Sequence, residues 1–129
     1  MEQLGLEDFL LIAEAVLDVP AETLKHATKL GLAESALNAP FASYGGQDFY
    51  PEPADRAAIL CSRIVRNHAL PDGNKRVALL CMLEFIERNG WIWVTTSQGE
   101  IAQTIEWLAE ASMTEEEFII WVRARVHVP

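Results

Sequence analysis

The sequence predicts an all-α domain, a helical bundle interrupted once by a small β-hairpin flap. Two observations carry this. Apolar residues recur at spacings of three and four along most of the chain, each run bounded by Pro, Gly, Ser or Thr. One stretch, Tyr44-Gly45-Gly46-Gln47-Asp48-Phe49-Tyr50, breaks that period with a Gly-Gly pair between aromatic residues, which is the chemistry of a tight turn.

Leu6, Phe9, Leu10, Ala13, Val16 and Leu17 place one face of a first helix that ends near Val19. Pro20 opens a second, Ala21 to Leu30, which Gly31 is expected to close. A short helix from Leu32 to Asn38 stops before Pro40. After the flap, Phe41 to Pro53, helix resumes from Pro53 to about His68, with Ala57, Leu60, Cys61, Ile64 and Val65 on its apolar stripe. Pro71-Asp72-Gly73-Asn74 breaks it, and the next helix runs from about Asn74 to Asn89, closed by Gly90. Residues 77–83 are apolar all round, so this helix is expected to be the most buried. Trp91 to Thr95 reads as a short extended connector. Ser97 with Glu100, and Thr114 with Glu117, form capping boxes for helices reaching about Ala111 and about Val126. Trp107 and Trp121 are expected in the core. No repeat, linker or low-complexity tract divides the chain, so residues 1–129 read as a single domain.

Half of the residues are hydrophobic and 22% are charged, a globular composition. The net charge of -9 argues against coating by nucleic acid or anionic lipid. The longest apolar run, Val77 to Leu83, falls far short of the ~20 residues of a membrane span, and the start Met1-Glu2-Gln3-Leu4 lacks the basic residues and apolar run of a signal peptide. A cytoplasmic protein is expected, with Cys61 and Cys81 as reduced, buried thiols. His26 and His127 have no site context and receive no role.

The charge is uneven. Residues 56–76 hold five basic residues, Arg56, Arg63, Arg66, Lys75 and Arg76, against the single acid Asp72, a net +4, while the rest of the chain carries -13. A local positive site on a negative body suits a small anionic ligand such as a nucleotide. Within that window Arg66-Asn67-His68-Ala69-Leu70-Pro71-Asp72-Gly73-Asn74-Lys75-Arg76 delivers the chain into a helix N-terminus, whose free N–H groups and dipole favour an anion. Gly73 lets backbone approach a phosphate, Asn74 can donate from its amide, and Lys75 and Arg76 add charge. Asp72 is a natural Mg²⁺ ligand beside phosphates, and His68 can accept a proton from a hydroxyl. Base, metal ligand and phosphate cradle together fit phosphoryl or nucleotidyl transfer. Pro-Asp-Gly-Asn by itself is also a turn that needs no function.

These residues resemble the Fic/Doc family and its Doc branch in particular. The Fic pattern is His-x-Phe-x-(Asp/Glu)-Gly-Asn-Gly-Arg, and the Doc branch has Lys for the second Gly. His68, Asp72, Gly73, Asn74, Lys75 and Arg76 match it, six positions in a nine-residue span. Leu32 to Leu37, Tyr44-Gly45-Gly46 with Asp48, Tyr50-Pro51, Arg66-Asn67 and Phe85 to Gly90 extend the likeness, which covers about residues 5–92. Leu70 stands where the family has a buried Phe, Ala69 where a Pro often follows the His, and a Pro appears at 71.

The resemblance implies a Fic-fold bundle with a flap, and the toxin of a toxin–antitoxin pair that transfers the ATP γ-phosphate to a Ser/Thr hydroxyl of elongation factor Tu, arresting translation. By the same resemblance His68 is the general base and Asp72 holds Mg²⁺. Gly73 and Asn74 cradle the anion, Lys75 and Arg76 bind phosphates, and Arg66 either contacts a phosphate or supports from behind a residue that does. The flap around Tyr44–Tyr50 would align the target by backbone pairing. Lys75, replacing a Gly, would turn ATP so that its γ-phosphate faces the hydroxyl. The alternatives are transfer of AMP, or a non-catalytic domain that binds a nucleotide or an antitoxin. The nearest approach to the family's inhibitory helix, Thr96 to Glu100, is broken by Ile101, so inhibition is expected from a Phd-like antitoxin whose disordered tail folds into an apolar groove between the first helices and the flap.

Overall fold

The computed structural model describes residues 1–94 and 96–129. Thr95, the end of the expected connector, lies outside the described residues. The order is α1 (Leu6–Leu17), α2 (Ala21–Ala27), α3 (Leu30–Asn38), a 3-10 turn (Ala39–Phe41), the hairpin β1 (Ser43–Tyr44) and β2 (Gln47–Asp48), α4 (Pro53–Asn67), α5 (Asn74–Arg88), β3 (Ile92–Trp93), α6 (Gln98–Ala109), α7 (Glu115–Arg123) and β4 (Val126–His127). The chain is thus all-α with two small antiparallel strand pairs. No described helix is long and apolar enough to cross a membrane.

The flap forms as its turn residues require. Ser43 pairs with Asp48 and Tyr44 with Gln47, leaving Gly45 and Gly46 in the turn at φ 60° and 79°, where side chains with a Cβ are strained. Arg56 fastens it to α4: its Nε donates to the Tyr50 carbonyl at 2.7 Å, its Nη2 meets Asp48 at 3.0 Å, and the guanidinium lies over the Phe41 ring.

The second helix ends earlier than its periodicity suggests. Thr28 is extended, and the Lys29 N–H leaves the helical ladder to donate to the Ala69 carbonyl at 3.0 Å. That bond ties the α2–α3 junction to the loop after α4. Gly31 consequently sits in the first turn of α3 and closes nothing.

The most buried helix is α4 rather than α5. Ten of its 15 residues are buried, including Asp55, Arg56 and Ser62, because α3, α5, α7 and the 3-10 turn all pack on it. The apolar run of α5 is one-sided in space: Val77, Ala78, Cys81, Met82, Phe85 and Ile86 face inward, and Leu80 stays 42% exposed. Phe9, Phe85 and Phe118 fill the centre, each contributing about 1.5–3 kcal/mol by burial. Cys61 and Cys81 are free and buried, and burial pushes both thiols well above their ordinary range, so neither is reactive.

The C-terminal part differs from expectation in three details. Thr114 and Glu117 form the complete capping box of α7, whereas at α6 only half is made: Ser97 accepts from the Glu100 N–H, and the Glu100 carboxylate goes to Arg125 at 2.6 Å. Trp107 is 45% exposed, while Trp121 stacks on Phe118 and carries the Arg125 guanidinium over its ring. The last helix stops at Arg123, and Val126–His127 pair with Ile92–Trp93 instead of extending it.

Candidate functional site

The site grows from the loop between α4 and α5. His68 ends α4 in a left-handed conformation, φ 48°, which turns the chain back at once. Ala69 and Leu70 then dive into the core. Leu70 is 1% exposed and serves as the loop's apolar anchor where the family pattern has Phe. The Asn74 side chain staples the loop by accepting from the Leu70 N–H at 3.0 Å and donating to the Leu70 carbonyl at 2.9 Å. Its Nδ2 also lies 3.3 Å from His68 Nδ1, so the His68 nitrogen left for a substrate is Nε2. The Asn74 amide is therefore a structural brace, and what Asn74 can offer an anion is its backbone N–H.

Gly73 is the N-cap of α5 at φ 74°, with no side-chain cap and no acid in the first turn. A Cβ there would lie 2.6 Å from Leu17 Cδ2, so α1 as well as the turn demands glycine. The uncapped N–H groups of the first turn open into a cleft of about 500 Å³ lined by His68, Asp72, Gly73, Asn74, Lys75 and Arg76, with Val65, Pro71 and Ala109. Five sequence-adjacent candidates and His68 thus meet in one cleft. Asp72 is exposed, and its Oδ1 accepts from the Gly73 N–H at 2.8 Å.

The expected cationic patch is largely neutralised. Arg56 pairs with Asp48. Arg63 grips Glu115 with two bonds, at 3.0 and 3.1 Å, and Arg66 adds a third at 3.1 Å. Arg66, expected as a phosphate contact, does not line this cleft and bonds to Glu115. Lys75 donates to Glu106 on α6 at 2.8 Å. Among the described residues only Arg76 of the five has no ion pair, and its Nη2 lies close to Gly73.

Glu106 and Glu115 carry no signal in sequence. Glu115 is one of three consecutive glutamates and reads as first-turn charge complementing the helix dipole. In the fold it is half-buried and also accepts from Ser62 Oγ at 2.6 Å. Burial works against its charge, but the Arg63, Ser62 and Arg66 bonds outweigh this and hold its pKa below the usual carboxylate value. The Lys75 ammonium likewise lowers the pKa of Glu106.

The arrangement offers a general base, a carboxylate beside an anion cradle and one free guanidinium. Asp72 fits a Mg²⁺ ligand chemically: magnesium takes one or two protein carboxylates and completes its shell with phosphate and water. No cluster of three or more potential metal ligands occurs among the described residues.

A family model described as Fic/DOC family matches residues 4–86. Toxin Doc of Mycolicibacterium smegmatis is 45% identical over 60 residues, 46% of this chain and 46% of that protein. The match spans about half the length of the curated relative.

Proposed function

The chain belongs to the Fic/Doc family, and from that premise we propose that it is the toxin of a toxin–antitoxin pair, a protein Ser/Thr kinase that moves the γ-phosphate of ATP to a hydroxyl of a translation factor of the elongation factor Tu class. The observation that carries this is the cleft itself, where His68, exposed Asp72, the free N–H groups of α5 and unpaired Arg76 converge. The phosphates lie on the α5 N-terminus, with Arg76 neutralising their charge. Asp72 would hold Mg²⁺, which when bound offsets phosphate charge. The acceptor oxygen bonds to the γ-phosphorus, the bond from that phosphorus to the bridging oxygen breaks, and ADP leaves with the electron pair. The hydroxyl proton passes to His68 Nε2. That step requires the His68 proton on Nδ1, so Nδ1 ceases to accept from Asn74 as substrate binds.

One observation favours transfer of AMP instead. Lys75, the residue expected to turn ATP around, is engaged by Glu106. The two chemistries separate with ATP labelled at the γ or the α position, a bacterial translation extract as acceptor, and His68→Ala as control. Label from the γ position alone supports the kinase; label from the α position alone overturns it.

The antitoxin would be a Phd-like chain whose tail folds on this one. The cleft between α3, the 3-10 turn and α4 that stands where an apolar groove was expected is mixed, with Gln3, Ser35, Asn38 and Arg63 alternating with Ala39, Phe41 and Ala42. A tail fitting it needs hydrogen-bonding as well as apolar side chains. Expression of the chain alone is expected to stop growth, and His68→Ala to restore it.

A further inference from the structure

The Asn74 side-chain amide has only one way round. Its oxygen accepts from the Leu70 N–H at 3.0 Å, and its nitrogen donates to the Leu70 carbonyl at 2.9 Å. Exchanging oxygen and nitrogen would set two donors against each other at one bond and two acceptors at the other. Both residues are buried, so the groups left unpaired would carry the full cost of desolvation.

That fixes what His68 meets. The atom 3.3 Å from His68 Nδ1 is Asn74 Nδ2, an amide nitrogen, which only donates. A neutral imidazole accepts at the ring nitrogen that carries no proton. Nδ1 is therefore the bare nitrogen, and the proton sits on Nε2. The other tautomer would bring two N–H groups face to face across the same gap. The backbone beside the ring is held as well: His68 closes α4 at φ 48°, and Asn67 Nδ2 donates to the Leu32 carbonyl at 3.0 Å. What remains free is rotation of the exposed ring about its own side-chain bonds, and among the described residues Asn74 makes its one hydrogen bond.

We propose that Asn74 is the positioning residue of His68: it orients the imidazole and keeps its proton on Nε2 in the nucleotide-free chain. The consequence for catalysis rests on the transfer reading above, in which Nε2 takes the proton of the acceptor hydroxyl. In the nucleotide-free chain that nitrogen is already protonated, so His68 faces the cleft as a donor and not as a base. To become the base, its proton moves through solvent from Nε2 to Nδ1, and the Asn74 contact opens. A neutral hydrogen bond of this kind biases the two tautomers by about twofold to tenfold. The rate of transfer is lowered by the fraction in the competent form.

The test is nitrogen-15 NMR of the imidazole rings in the full nucleotide-free chain, at a pH where they are neutral, with His68→Gln to assign the His68 signals. His127, exposed on β4, serves as the reference within the same spectrum. The expected result is a protonated Nε2 and a bare Nδ1 at His68, with a ratio of the two tautomers at least about twofold above that of His127. Asn74→Asp should move the ratio the other way, since a carboxylate accepts from Nδ1–H and draws the proton there. A His68 ratio equal to or below that of His127 would overturn the proposal. So would a folded Asn74→Asp chain with the wild-type ratio; thermal melting shows whether it folds, and the wild-type comparison decides without it. Transfer from γ-labelled ATP to a bacterial translation extract judges the kinase reading separately. A wild-type chain that passes no γ-label would end that reading, while the ring spectrum still decides the place of the proton.

Discussion

Residues 4–86, which match the family model, and residues 87–129, which lie beyond it, bring opposite charges to the same end of the molecule. The first part supplies His68, the proposed phosphate cradle and all five cations of the basic window. The second supplies Glu106 and Glu115, which take hold of Lys75, Arg63 and Arg66. The two acids differ in what they do. Glu115 is half-buried, bonded to Ser62, Arg63 and Arg66, and joins α7 to α4. Glu106 is half-exposed with one partner, and that partner is a site residue. One acid holds the fold, and under the proposed function the other competes with the nucleotide for Lys75. A net charge summed along sequence hides both roles, because a carboxylate 30 or 50 residues away can cancel a cation as well as a neighbour does.

Substitutions should separate the two parts, activity failing in the first and stability in the second. The largest effect is expected from His68→Ala: under the proposed transfer, label incorporation falls about 10²–10⁴-fold, while the denaturation midpoint moves little. Next comes Glu115→Ala, which leaves Arg63 without its partner in a half-buried position and should cost about 2–4 kcal/mol, read from urea unfolding. A variant as stable as wild type would break the comparison.

The same carboxylate predicts a pH dependence. Its pKa is lowered in the fold, so it contributes stability above the ordinary carboxylate pKa, and that stability is lost as pH falls through the lowered value. Urea midpoints measured from neutral to acid pH should fall along this leg, and Glu115→Gln should flatten it. The smallest effect is Glu106→Gln. Stability should change little, since the pair is exposed. Freed Lys75 should bind ATP with Mg²⁺ several-fold more tightly at low salt, the gain fading as salt rises. Weaker binding would mean that Glu106 positions Lys75 instead of competing for it.

The helices and the flap were legible because their causes are local. Gly45-Gly46 permits the left-handed backbone that a two-residue hairpin turn needs. Thr114 and Glu117 cap each other three residues apart. The same locality misled at Ser97, where Glu100 had a better partner in Arg125, and at Gly31, where the Lys29 bond to Ala69 had already ended α2. Trp107 was expected inside, yet its place on α6 leaves it 45% exposed.

The contiguous motif from His68 to Arg76 needed no tertiary information to be found, since its members sit on one turn and one helix start. Which of them remain available did need it. Asn74 is spent on Leu70, Lys75 on Glu106 and Arg66 on Glu115, and Arg76 is left for a ligand. Sequence by itself determined the helix periods, the glycine turns and the order of the chemical groups, because backbone sterics and hydrogen bonds act over a few residues. Only the tertiary structure decided which charges survive and which helix is central, because those depend on which faces meet when α6 and α7 fold back over α4 and α5.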